Sequence, residues 1–114
     1  NDQAYSDREC LFKAISLDSS LALPWAYLGE ILSDNKETVN IDGKTYNSKD
    51  CYVKALEINS NFSRAWNNIG ACLLPSEKVE INGEIFTEKD CYTNAINLNE
   101  YNVDAKNNLK TIQQ

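Results

Sequence analysis

The stretch SKDCYVKALEINSNFSRAWNNIGACLL, residues 48–74, carries the pattern that decides the fold. In its first part, Cys51, Ala55 and Ile58 stand at the i, i+4, i+7 spacing of one helix face. Its second part, RAWNNIGACLL, again has a helical period, and Pro75 follows as a stop signal. The predicted helices are 48–58 and 64–74.

The same pattern returns at a fixed distance along the chain. Cys10, Cys51 and Cys91 are 41 and 40 residues apart, and Trp25 and Trp66 are 41 apart. A period of this length is typical of stacked helical repeats. The sequence therefore predicts one domain over 1–114, with approximate units 1–23 (partial), 24–63, 64–101 and 102–114 (terminal helix).

A hairpin signal lies between the helices of each complete unit. The segments VNIDGKTY (39–46) and VEINGEIF (79–86) place alternating apolar residues around Asp-Gly or Asn-Gly, which favours a two-residue type I′ turn. We expect the apolar side of each hairpin to pack on helices of its own unit, because a lone ribbon is marginal in water. The facing pairs in this register are Val39–Tyr46 and Val79–Phe86.

Together these signals predict an all-α fold, a short α-solenoid of antiparallel helix pairs with small β-hairpin insertions. Ser48 and Thr87 are expected to cap their helices, and Thr87-x-x-Asp90 resembles a capping box. Pro24 fits the first turn of its helix. The remaining predicted helices are 6–17, 24–33, 87–98 and 102–113.

Composition excludes several functions. The 114 residues carry a net charge of −6, which disfavours partners such as nucleic acid and anionic membrane surfaces. Histidine is absent, so the chain has no Ser-His-Asp or Cys-His pair and no His general base. The acidic residues stand on the polar faces of predicted helices, as solvated charges. We therefore expect no enzyme activity within these residues.

Cysteine and tryptophan are predicted to be core residues. Cys10, Cys51 and Cys91 occupy the same place in successive units, and no CxxC pair is present, so they fit small buried hydrophobes better than metal ligands. We expect no metal and no cofactor. Four free thiols, with no signal peptide and no apolar run of the roughly 18–20 residues that a membrane span needs, predict a cytoplasmic or nuclear, not secreted, protein.

The segment Ala65-Trp66-x-x-Ile69-Gly70 and the later Tyr92-x-x-Ala95-Ile96-x-Leu98 resemble the tetratricopeptide repeat. That repeat is a pair of antiparallel helices with a period of about 34 residues, and here the hairpin fills the extra length. Sel1-like repeats share the longer period, but the junction ALEINSNFSRAW favours the tetratricopeptide family.

The resemblance implies a protein–protein interaction module whose first-type helices line a concave, peptide-binding face. Asn68 and Asn108, one repeat apart, could hold a peptide's backbone amides, or could only bond neighbouring helices. The expected contact residues are Tyr27, Glu30, Arg64, Asn67, Asn68, Asp104, Asn107 and Asn108.

Within that family, a known groove type grips terminal carboxylates with lysine and arginine. Of the five positions that define this groove type, only Asn68 has the matching residue here. The other four are Ala26, Glu30, Asp104 and Asn108. The expected ligand is therefore a neutral or mildly basic segment. Two alternatives stay open: a structural or self-associating repeat array, and a scaffold segment of a larger enzyme.

Overall fold

The computed structural model describes residues 7–112, so residues 1–6 of the first predicted unit and 113–114 of the last helix lie outside it. The elements in chain order are α1 Asp7–Leu17, α2 Ala22–Asn35, β1 Val39–Ile41, β2 Lys44–Tyr46, α3 Ser48–Ile58, α4 Ser63–Cys72, β3 Lys78–Ile81, β4 Glu84–Thr87, α5 Glu88–Leu98 and α6 Val103–Ile112.

The predicted fold class, an all-α solenoid, is wrong. The described residues form six helices and two separate two-stranded antiparallel sheets, a mixed α/β content. The radius of gyration is 14.5 Å, close to the ~13 Å of a compact domain of this length. The described residues form a small globule in which the two hairpins pack together with the helices. The hairpin side chains form part of the hydrophobic core.

Both hairpins have the predicted register. Val39 pairs with Tyr46 in the first sheet, and Val79 pairs with Phe86 in the second. The φ angles are positive at both central residues of each turn, 52° and 84° in the first and 51° and 85° in the second. Positive φ at both positions defines the type I′ turn, which Asp-Gly and Asn-Gly tolerate.

Two hydrophobic clusters form the core, one around each tryptophan. Trp25 is 1% exposed and its ring centroid lies 5.0 Å from that of Tyr46, while Trp66 lies 4.7 Å from Phe86. Each indole nitrogen donates to a backbone carbonyl six residues earlier, so the polar edge of the buried ring is satisfied. The prediction that both tryptophans are core residues is confirmed.

Two glycines permit close packing between successive helices. A methyl group on Gly29 would lie 2.6 Å from Cε1 of Tyr52, and one on Gly70 would lie 2.8 Å from Cε1 of Tyr92. Both tyrosines are buried. These distances are below van der Waals contact, so only glycine fits without movement of the tyrosine ring.

The helix ends partly match the prediction. Thr87 caps α5, and its capping box with Asp90 is confirmed. Ser48 is not a cap: Asn47 caps α3, because its side chain accepts from the backbone N–H of Asp50 and the Asp50 carboxylate accepts from Asn47. Helix α4 ends at Cys72, before Pro75, where the N–H of Leu73 bonds the Gly70 carbonyl.

We predict that Ile81→Asn lowers the free energy of unfolding by about 1–3 kcal/mol, since Ile81 is 3% exposed and the amide would lose its hydration there. Ile85→Asn is the matched control, because Ile85 lies on the paired strand but is 65% exposed. Urea denaturation followed by circular dichroism measures both. Equal stability of the two variants would contradict core packing by the hairpin.

Candidate functional site

Five of the eight predicted contact residues lie in one hydrogen-bond network across α2, α4 and α6. The network runs from the exposed end of α4 to α2 and then back through α4 to α6. Its members, in order, are Arg64, Glu30, Asn68, Asn67 and Asn108. We call this set the asparagine ladder.

The outer end of the asparagine ladder is a two-point ion pair. Arg64 Nη2 donates to Glu30 Oε1 at 2.8 Å, and Arg64 Nε lies 2.6 Å from Glu30 Oε2. The Arg64 side chain is 62% exposed and that of Glu30 is 25% exposed. Paired N–H···O contacts fix the orientation of both groups. The pair therefore presents a neutral edge, with part of the guanidinium still facing solvent.

The inner end consists of amides that bond to one another. Asn68 Nδ2 donates to Glu30 Oε2 at 3.0 Å, and its Oδ1 faces Asn67 Nδ2 at 3.4 Å. Asn108 Nδ2 donates to Asn67 Oδ1 at 2.9 Å. Asn67 is only 7% exposed, so its amide needs these partners. The hydrogen bonds thus join α6 to α4 and α4 to α2.

A polar groove of about 1110 Å³ opens beside the asparagine ladder. Its walls come from the second half of α2, the start of α3, the inner face of α4 and the segment leading into α6. Five members of the predicted set line it. These lining residues are Glu30, Arg64, Asn67, Asn68 and Asp104.

Three predicted contact residues lie outside the lining of this polar groove. Tyr27 is 40% exposed and borders a smaller hollow between α1 and α2, with Cys10 and Ile31. Asn107 is exposed, and its backbone carbonyl accepts from the Thr111 hydroxyl. Asn108 reaches the site only through its bond to Asn67. The predicted peptide-binding face is therefore divided between the polar groove and the smaller hollow between α1 and α2.

The polar groove also contains residues that the repeat pattern did not indicate. Lys49 Nζ bonds Glu77 Oε2 at 2.5 Å, between the start of α3 and the loop after α4. That bond, together with the backbone N–H of Leu74, holds the pKa of Glu77 below its usual range. Tyr101, 81% exposed, forms part of the opposite wall. The one sequence feature that could have pointed to these residues is the recurrence of Lys49 as Lys89, one repeat later.

The cysteines have different environments. Cys51 and Cys91 are fully buried, as predicted, and burial raises the pKa of each thiol to about 12, with a smaller contribution from the adjacent aspartate. Cys72 is half-buried in the groove wall, and burial raises its pKa too. Cys10 is exposed, so its predicted core role is wrong. Cys51 and Cys91 pack beneath α2 and α4, whereas the described chain places no helix before α1.

Within residues 7–112, no group of three or more Cys, Asp or Glu side chains is arranged to hold a metal ion. None of the helices in that range has both the length and the apolar character that crossing a membrane requires.

No protein-family model matches the chain. No curated protein sequence matches it either.

We predict that Asn67→Ala destabilises the protein by about 1–2 kcal/mol, because it removes two hydrogen bonds at a buried position, those to Asn68 Oδ1 and Asn108 Nδ2. Asn107→Ala, one residue from Asn108 but exposed, should change stability by less than about 0.5 kcal/mol. Thermal and urea unfolding compare the two. If Asn67→Ala is as neutral as Asn107→Ala, the asparagine ladder does not stabilise the fold.

We predict a loss of stability at alkaline pH. The pKa values of Cys51, Cys91 and Tyr92 rise to about 12 in the folded protein, from 9 for the thiols and 10 for the phenol, chiefly through burial. Protons leave the unfolded chain first, so stability is level below about pH 8 and falls as the pH rises through 9–12. Urea unfolding at pH 7.5 and 10.5 measures the fall.

The matched control for the alkaline prediction is Cys51→Ala, which removes one of the buried groups. Its stability should decline less between the two pH values than that of the unsubstituted chain, whatever its stability at pH 7.5. An identical decline would mean that general charge repulsion, and not the buried thiols, causes the alkaline loss.

Proposed function

We propose that the chain is a protein–protein interaction module, with helix pairs similar to tetratricopeptide repeats, that binds a peptide segment of a partner in the polar groove. The observation that carries this proposal is the groove itself. Its volume of about 1110 Å³ exceeds the ~300–1,000 Å³ of sites for small ligands. An open and largely polar site of this size suits an extended or helical peptide.

The charges of the polar groove favour a neutral or basic segment. Five acidic and three basic residues line it. Arg64 and Lys49 are neutralised by Glu30 and Glu77, and Asp104 has no ion-pair partner among residues 7–112. Excess negative charge attracts a basic ligand and repels a terminal carboxylate. These charges argue against the carboxylate-gripping type of groove.

The asparagine ladder changes how a peptide would be held. Asn68 uses one amide hydrogen on Glu30 and one lone pair of its oxygen on Asn67, so one N–H and one lone pair are left for a ligand. Asn108 has its oxygen left, while its Nδ2 bonds Asn67. These bonds favour the alternative in which the asparagines mainly join neighbouring helices. We propose that the exposed groove walls, more than paired asparagines, hold the peptide.

The proposed role is binding and not catalysis, since the chain has no histidine. We also propose a reducing compartment, cytoplasm or nucleus, because Cys51, Cys72 and Cys91 form no disulfide bond. Nucleic acid and anionic membranes are not among the proposed partners, given the net charge of −6.

We expect Ala71→Trp to abolish peptide binding. Ala71 is exposed and lines the polar groove, so an indole there obstructs the path of a peptide and removes no structural contact. Peptides are first selected from a random 12-residue display library on the unsubstituted chain. Calorimetry should then give micromolar affinity, about −8 kcal/mol, and no heat with Ala71→Trp.

Ala71→Ser is the control and should keep the affinity. A second control peptide ends in acidic residues and a free carboxylate, and should not bind. Selection of no peptide, or equal binding by Ala71→Trp, would contradict the proposed function.

A further inference from the structure

A second, mainly apolar hollow lies at one end of the polar groove. It is formed by the start of α2 and by the turns that join α3 to α4 and α5 to α6. Its volume is about 820 Å³, and its apolar surface comes from Leu21, Leu23, Pro24 and Phe62. We call it the turn hollow.

Leu21 has no evident structural reason to be a leucine. It is the N-cap residue of α2, a position that favours Ser, Thr, Asp or Asn, and its side chain makes no capping hydrogen bond. It is also 48% exposed, as is Leu23. At the equivalent place in the next unit, Phe62 packs against both core clusters, and in the third unit Asn102 caps α6 through the N–H of Ala105.

The turn hollow and the polar groove adjoin each other. They share Ser63, Arg64 and Asn99 as lining residues. At this boundary the charge of Arg64 is balanced by Glu30, so a ligand crossing from one site to the other meets a neutral edge. Beyond it, the polar groove has an excess of acidic side chains.

We propose that the turn hollow is the anchor subsite of the peptide groove, and that it takes one large apolar side chain of a partner segment whose neighbouring residues are basic. This inference rests on the proposed function. The apolar walls match the anchor, and the acidic excess of the adjoining groove matches the basic residues. Specificity would thus come from the pairing of the two sites.

The test uses the 12-residue peptides selected on the unsubstituted chain, and compares them with the variant Leu21→Ser. Serine adds a capping hydroxyl to α2, so the variant should melt at an equal or higher temperature. Its affinity for the selected peptides should be about tenfold lower, because an apolar wall is lost. Ile85→Ser removes another exposed apolar side chain, on the second hairpin, and should bind normally.

A double-mutant cycle locates the anchor. Alanine at the apolar position of the peptide should weaken binding to the unsubstituted chain about tenfold, and should have little further effect on Leu21→Ser. Enriched peptides should carry Lys or Arg near that position.

Other outcomes separate the two proposals. If Ala71→Trp abolishes binding but Leu21→Ser does not weaken it, or if the enriched peptides lack the apolar and basic pair, the turn hollow is no anchor and the proposed function stands. If no peptide is enriched, both fail. If sedimentation shows a dimer that Leu21→Ser dissociates, a second copy of the chain fills the hollow, and the anchor proposal is wrong.

Discussion

The contact between a glycine and a tyrosine of the next helix is the constraint on which the rest of the structure depends. Gly29 contacts the ring of Tyr52, and Gly70 contacts that of Tyr92, so a Cβ on either glycine would force the ring to move. Two helices must therefore approach closely in each complete unit. The connecting segment folds back as a ribbon and covers the tryptophan beside them, which makes the hairpin part of the same core.

The local structure could be predicted because it depends on neighbouring residues. The Asn82-Gly83 turn and the Thr87 cap need only their own few positions, and both are as expected. The fold class could not be predicted in this way. The packing of Val79 and Ile81 on the helices was expected and is confirmed, but the repeat pattern counted these residues as an insertion in an all-α fold and not as part of its core.

The candidate site was predictable at the level of helix faces but not of side-chain partners. The family resemblance implied that Glu30, Arg64 and Asn68 share one face, and their side chains are joined by hydrogen bonds. It gave no indication that Asn67 would be buried as the centre of a network. The bond between Lys49 and Glu77 joins a helix to an irregular loop, and no periodicity describes that loop.

The terminal helix α6 shows why the site and the fold share the same bonds. Lys106, which is exposed, stands where Trp66 stands in the preceding unit, so α6 has no aromatic residue to hold it. Polar contacts take that role: Asn102 donates to Ser63, and Asn108 donates to Asn67. The amides that could have bound a ligand are therefore needed to attach α6. In the proposed function, a partner is therefore recognised by the acidic excess of the polar groove and by the exposed apolar wall at Leu21.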